Sequence, residues 1–143
     1  MTKIFRFVLL LALIILLFGL PFGASAQAGD CDGTPGDDEI NCTVNPTTPD
    51  ANISGDLGND WITVDASVNN IYGDDATGIS GVDLIFIREN GTVTGNIYGD
   101  VTTGEGTTDY IEVYGTVQGT IYGDHGGSGV GGDDVFLNLG TIN

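Results

Sequence analysis

The five residues Asn70-Ile71-Tyr72-Gly73-Asp74 return as Asn96-Ile97-Tyr98-Gly99-Asp100 and again as Thr120-Ile121-Tyr122-Gly123-Asp124. A shorter relative stands at Asn52-Ile53-Ser54-Gly55-Asp56. The spacing is 26 residues from Ile71 to Ile97 and 24 from Ile97 to Ile121, within the range of stacked repeats. A chain that repeats at that period places equivalent residues in equivalent surroundings, and each unit then buries its apolar face against its neighbours.

Between copies lies a turn rich in Gly, Thr and Asp, and then a segment opened by an aspartate. These segments are Asp60-Trp61-Ile62-Thr63-Val64, Asp83-Leu84-Ile85-Phe86-Ile87, Asp109-Tyr110-Ile111-Glu112-Val113 and Asp133-Asp134-Val135-Phe136-Leu137. Asp38-Glu39-Ile40-Asn41-Cys42 fits the same template. The second and fourth residues after each aspartate are apolar, counting Cys42, which is the two-residue period of a strand. No stretch beyond residue 26 carries the period of a helix. The pattern predicts an all-β chain folded as a right-handed parallel β-solenoid, a β-roll or β-helix, of about four to five coils. Ile62, Ile85, Ile111 and Val135 would stack in one column, and Val64, Ile87, Val113 and Leu137 in another. A small antiparallel sandwich is the alternative, although it has no need of identical residues at equivalent positions. Parity puts Val93 and Ile97 inward, with glycine where the opposite wall comes close. Tyr72, Tyr98 and Tyr122 then point outward one above another at about 4.8 Å. Such a column either shields the sheet as a stacking ladder or offers an aromatic stripe to a sugar or a partner.

Residues 1–26 read as a signal peptide: Lys3 and Arg6, an apolar run from Val8 to Phe18, and the small-x-small site Ala24-Ser25-Ala26. An uncleaved anchor is the other reading, but the run falls short of the ~20 residues a span prefers. The membrane is then met only through the cleaved leader. Residues 27–51 form an N-terminal leader with a first turn, and residues 52–143 the repeats. All 20 acidic residues follow residue 26 and only Arg88 opposes them, so the chain beyond the signal peptide carries a formal charge of −19. That excludes nucleic acid, whose phosphates need clustered Lys and Arg. It also demands a counter-charge, because self-repulsion opposes compaction. Cys31 and Cys42, an even pair in a chain with a secretory leader, favour one disulfide over metal ligation.

Two turns carry a more specific signal. Gly33-Thr34-Pro35-Gly36-Asp37-Asp38-Glu39-Ile40-Asn41 and Gly55-Asp56-Leu57-Gly58-Asn59-Asp60-Trp61-Ile62-Thr63 both read G-x-x-G-x-D-x-Ile-x. This resembles the calcium-binding repeat of the RTX (hemolysin-type) family, G-G-x-G-x-D-x-U-x. The resemblance implies a parallel β-roll whose turns hold Ca²⁺ through the aspartate and turn carbonyls, the ion being shared with a neighbouring coil. It places Asp38 and Asp60 as ligands, with Gly33, Gly36, Gly55 and Gly58 forming the turns and Ile40 and Ile62 buried. It covers about 18 residues well. The later coils keep Gly-Asp in front and Asp-x-apolar behind but insert residues between them.

The residue types lead to the same ion. Many hard oxygen donors with no His cluster suit Ca²⁺ better than Zn²⁺ or Cu²⁺. The candidate ligands are Asp37, Asp38, Asp56, Asp60, Asp74, Asp83, Asp100, Asp109, Asp124 and Asp133. Stacking brings Asp60, Asp83, Asp109 and Asp133 together, and like charges at that spacing repel unless cations separate them. These aspartates could instead serve only as turn formers. Catalysis finds little support: His125, the only histidine, sits in a glycine-rich turn and no serine occupies an elbow motif. The sequence therefore predicts a secreted, non-enzymatic calcium-binding solenoid in an extracellular or cell-surface setting. The competing prediction is a metal-independent structural or adhesive module that self-assembles end to end, since the final repeat, Leu139 to Asn143, shows no polar cap.

Overall fold

The alternating segments do form strands, and the strands do stack in parallel. The computed structural model describes residues 31–43, 51–75, 80–101, 106–126 and 131–143. The expected signal peptide and most of the Pro- and Thr-rich stretch before residue 51 lie outside the described residues, as do the middles of the inserted turns. The first coil contributes β1 (Asp32–Pro35) and β2 (Glu39–Cys42). The second supplies β3 (Ile53–Leu57), β4 (Trp61–Val64) and β5 (Ser67–Val68). Then come β6 (Ile71–Asp74), β7 (Leu84–Ile87) and β8 (Thr92–Val93). The fourth coil holds β9 (Ile97–Asp100), β10 (Tyr110–Val113) and β11 (Thr116–Val117). The last has β12 (Ile121–Asp124), β13 (Val135–Asn138) and β14 (Thr141–Ile142).

From the second coil onward each coil contributes three strands, so the stack has three faces. One sheet runs β1-β3-β6-β9-β12, a second β2-β4-β7-β10-β13, and a third β5-β8-β11-β14. All recorded strand pairs are parallel. No helix occurs among the described residues.

The inward side chains make four apolar columns. Ile53, Ile71, Ile97 and Ile121 rise along the first sheet. Ile40, Ile62, Ile85 and Ile111 rise along the second, beside Cys42, Val64, Ile87 and Val113. Val68, Val93 and Val117 complete the third. Nearly all are wholly buried. β-Branched side chains fill this space well because their stiff χ1 rotamers repeat identically in each layer. Polar ladders run outside the core. The Asn70 N–H donates to Asn52 Oδ1, the Asn96 N–H to Asn70 Oδ1 at 2.7 Å, and the Thr120 N–H to Asn96 Oδ1 at 2.9 Å. Tyr72, Tyr98 and Tyr122 stack face to face, their ring centroids 5.1 and 5.2 Å apart.

One expected register is corrected in the last coil. Tyr110 pairs with Val135 and Ile111 with Phe136, so Phe136 and Asn138 continue the two columns, where Val135 and Leu137 were expected. Burial does not select between these registers. Val135, Phe136 and Leu137 are all 43–48% exposed. The opposite end differs, because Ile40 and Cys42 of the first coil are buried and the Cys31–Cys42 disulfide, 5.5 Å between Cα atoms, ties that coil.

Truncating one layer tests the column model. Ile85→Ala should cost about 2–5 kcal/mol, as for other fully buried aliphatic residues. Phe136→Ala, in the open last layer, should cost under half as much; denaturant midpoints of the two variants provide the comparison.

Candidate metal centre

The corner between the first and second sheets is built from aspartates. Each strand of the second sheet is preceded by one whose backbone N–H has no strand partner. In this solenoid the carboxylate of the following coil accepts it. The Asp38 N–H donates to Asp60 Oδ1 at 2.8 Å, the Asp60 N–H to Asp83 Oδ1 at 2.8 Å, and the Asp83 N–H to Asp109 Oδ1 at 2.9 Å. The Asp109 N–H then donates to Asp134 Oδ1 at 3.0 Å. Asp134 therefore takes the ladder position that the sequence assigns to Asp133, in keeping with the corrected register.

The other oxygen of these carboxylates lies over the glycine of the Ile-Tyr-Gly-Asp segment. A Cβ at Gly73 would collide with Asp83 Oδ2, and one at Gly99 with Asp109 Oδ2. The repeat's glycine is thus the floor on which the aspartate rests. Gly55 and Gly123 stand in the same relation to Asp60 and Asp134.

Facing this ladder is a second column, the aspartates that end β6, β9 and β12. Each closes its inserted turn. Asp74 Oδ2 accepts from the Gly81 N–H at 2.6 Å, Asp100 Oδ2 from the Thr107 N–H at 2.6 Å, and Asp124 Oδ2 from the Gly132 N–H at 2.7 Å. Their Oδ1 atoms are left buried with no hydrogen-bond partner, as are Oδ2 of Asp60, Asp83 and Asp109. Buried polar atoms are almost always paired, so six unpaired oxygens in one corner point to something that the protein's own donors do not supply.

The same six residues gather into two groups. Asp60, Asp74 and Asp83 offer carboxylate oxygens within 4.8 Å of one another, and Asp100, Asp109 and Asp124 do the same. Each group draws on two adjacent coils. Two unit charges at 4.8 Å repel by roughly 3 kcal/mol at an effective dielectric constant of about 20. The three pairs of one group therefore cost on the order of 10 kcal/mol, comparable with the whole stability of a domain, about 5–15 kcal/mol. A fully charged group is untenable without a cation or protons. Accordingly, burial first and the neighbouring carboxylates second push Asp83 up to about 9 and Asp109 up to about 8. Burial likewise raises Asp60 and Asp74 to about 7 and Asp124 to about 6.

The remaining candidates stand apart. Asp38 Oδ2 accepts from the Thr34 N–H at 2.6 Å and from its hydroxyl at 2.8 Å, so the first turn is closed by protein donors. Asp37 belongs to neither group; it accepts from the Asn59 backbone and side chain, which holds its carboxyl below the usual range. Asp56 pairs in register with Asp74 but has φ of +78°, and it belongs to neither group. Of the two turns that match the nonapeptide, only the second contributes, through Asp60. The longer inserted turns supply the other five members. The signal for them was present in the sequence as the recurring Gly-Asp before each insertion and Asp-x-apolar after it. No family model, no curated protein and no solved structure matches this chain.

The raised carboxyls make a prediction for the metal-free chain. A folded carboxyl above its unfolded value of 3.8 binds more protons when folded, so stability falls as pH rises. The loss begins near pH 4 and is complete above about 9. In chelator, the melting temperature at pH 5 should exceed that at pH 8.5 by at least about 10 °C, read by circular dichroism. Asp83→Asn should flatten this dependence.

Proposed function

We propose that the protein is a secreted calcium-binding β-solenoid, with Ca²⁺ held between adjacent coils by Asp60, Asp74 and Asp83 and by Asp100, Asp109 and Asp124. The observation that carries this reading is that the three carboxylates converging in each group all have a buried oxygen with no hydrogen-bond partner. Their separation, within 4.8 Å, can be spanned by one ion with Ca–O distances of about 2.3–2.6 Å. The donors are all oxygen, which disfavours Zn²⁺ and Cu²⁺. Five of the six residues are at most 1% exposed, so the ion must shed most of its water. Mg²⁺ dehydrates reluctantly and Ca²⁺ does not. The three carboxylates of one group supply part of a six- to eight-oxygen shell, and the charge left after binding Ca²⁺ is −1 in place of −3.

The likeness of the Asp60 turn to the RTX repeat supports the same ion. Secretion is supported by the Cys31–Cys42 disulfide, a bond that persists in oxidising compartments, and by the leader-like residues 1–26. The reading assigns calcium the role of folding ligand and assigns no catalysis. His125 packs against Tyr122, ring centroids 4.8 Å apart.

Titration calorimetry at pH 8 should detect two calcium sites. Saturation at a thousand times Kd should add about 4 kcal/mol per site, raising the melting temperature by roughly 15 °C or more. Asp74→Asn and Asp109→Asn should each remove one site, whereas Asp38→Asn should keep both. Identical melting curves in calcium and in chelator would sink the proposal.

A second reading, a structural module that assembles end to end without needing metal, is favoured by the last coil. There β12, β13 and β14 each have a neighbour on one side only, and Leu139 is 63% exposed. Unpaired edges of this kind template further strands. Sedimentation velocity in chelator at pH 5 should show concentration-dependent association on this reading; a monomer throughout would reject it.

A further inference from the structure

The outer surface of the second sheet is unlike the other two. The third sheet presents Ser67, Thr92, Thr116 and Thr141 in register, and the first presents tyrosines whose rings are nearly parallel, 3° and 6° from coplanar. Those tyrosines cover one another, so the column has edges to offer and few free ring faces. On the second sheet the aromatic rings differ from layer to layer and do not form a closed stack. Trp61 and Phe86 lie 5.7 Å apart, tilted by 40°, and Trp61 is 50% exposed. Tyr114, at the corner beyond β10, is 42% exposed. These three rings line a groove of about 560 Å³, within the range of about 300–1,000 Å³ typical of small-ligand clefts.

The polar lining decides what can lie there. Arg88, the only basic residue after the leader, is in this groove, together with Asp65, Glu89, Glu112 and the amide of Asn90. An anionic ligand would meet three carboxylates, and a cationic one would meet the guanidinium. A neutral polyhydroxyl compound needs acceptors and donors together. The carboxylates accept, Arg88 presents a planar fork of N–H donors, and Asn90 does both. One oxygen of Asp65, Oδ1, is buried without a partner. The apolar C–H face of a pyranose ring matches an exposed indole in size and polarity. Groove and stripe are separate: neither Tyr72, Tyr98 nor Tyr122 lines the groove.

We propose that this groove binds a neutral polysaccharide, one sugar ring lying on Trp61 with Arg88, Asn90 and the flanking carboxylates hydrogen-bonding its hydroxyls. The solenoid is then a carrier for a glycan-binding face, a role distinct from its own stabilisation by metal. The rings come from successive coils, Trp61 from the second, Phe86 from the third and Tyr114 from the fourth, so the site exists only while the coils are stacked.

Native electrophoresis of the full chain, with calcium present, through gels containing hydroxyethyl cellulose, a galactomannan or a β-1,3-glucan provides the test. At least one of these gels should retard the protein relative to a plain gel. Trp61→Ala should weaken that affinity at least about tenfold, as truncating a central aromatic anchor does, and Arg88→Gln should weaken it as well. Arg88 is exposed, so its variant keeps the fold, which an unchanged far-ultraviolet spectrum would verify. Tyr110→Ser, on the same face but outside the groove, should migrate as the wild type. Mobility unaffected by all three glycans overturns the proposal, as does full retardation of both the Trp61 and Arg88 variants. Equal retardation by anionic alginate overturns the neutral-ligand assignment.

Discussion

The backbone N–H of each corner aspartate must find an acceptor, and only the carboxylate of the following coil is in place to be one. This bond runs from Asp38 through Asp60, Asp83 and Asp109 to Asp134. Much of the architecture answers to it. The carboxylate that accepts must enter the corner, where its second oxygen needs a glycine beneath it, and this gives the repeat its invariant third position in Gly73, Gly99 and Gly123. Satisfying one buried donor thereby creates a buried charge. A bond to a charged acceptor gains about 1.5–3 kcal/mol, less than the repulsion it introduces. The corner is consequently favourable only when part of its charge is removed, by a cation or by protons, and Arg88 is the only lysine or arginine beyond residue 26 that the chain could set against it.

What resists this repulsion is repetition. Isoleucine and valine columns, the asparagine ladder at one corner and the stacked tyrosines on one face all place a residue above its equivalent. Each contact is the same in successive layers, so local preference and global register agree. The apolar columns hold the coils together while the aspartate corner pushes them apart. Neutralising that corner releases the full strength of the columns.

Much of this was legible in the residues. Strand parity, stacked coils and the outward tyrosines follow from periodicity, because burying one face of a strand forces alternation. The Asn52–Asn70–Asn96 ladder was not legible, since a side chain bonding to a backbone N–H in the next layer leaves no hydrophobic signature. The last coil misled for a definite reason. Asp133 and Asp134 both precede alternating apolar residues, and pattern favours Asp133, whereas hydrogen bonding selects Asp134. Val135, Phe136 and Leu137 are all exposed, so burial had little weight there. The two nonapeptide turns differ from each other. Their likeness to a known calcium repeat drew attention to Asp38, whose carboxylate Thr34 already occupies. The inserted turns look like departures from the pattern, yet they supply most of the paired aspartates.

The bonds from Asp74 to Gly81, Asp100 to Thr107 and Asp124 to Gly132 pinch each inserted turn at its base. The donor lies seven residues on in the first two and eight in the third. Both ends of each turn are thereby fixed to the stack, and the entropic penalty of lengthening a loop between fixed ends grows only slowly with its size. The corner is therefore a place where residues can be added or lost while every layer above and below keeps its alignment. Coils of 18, 26 and 24 residues, counted along the asparagine ladder, sit in one regular column for this reason. Evolution can vary the rim of such a molecule independently of its trunk.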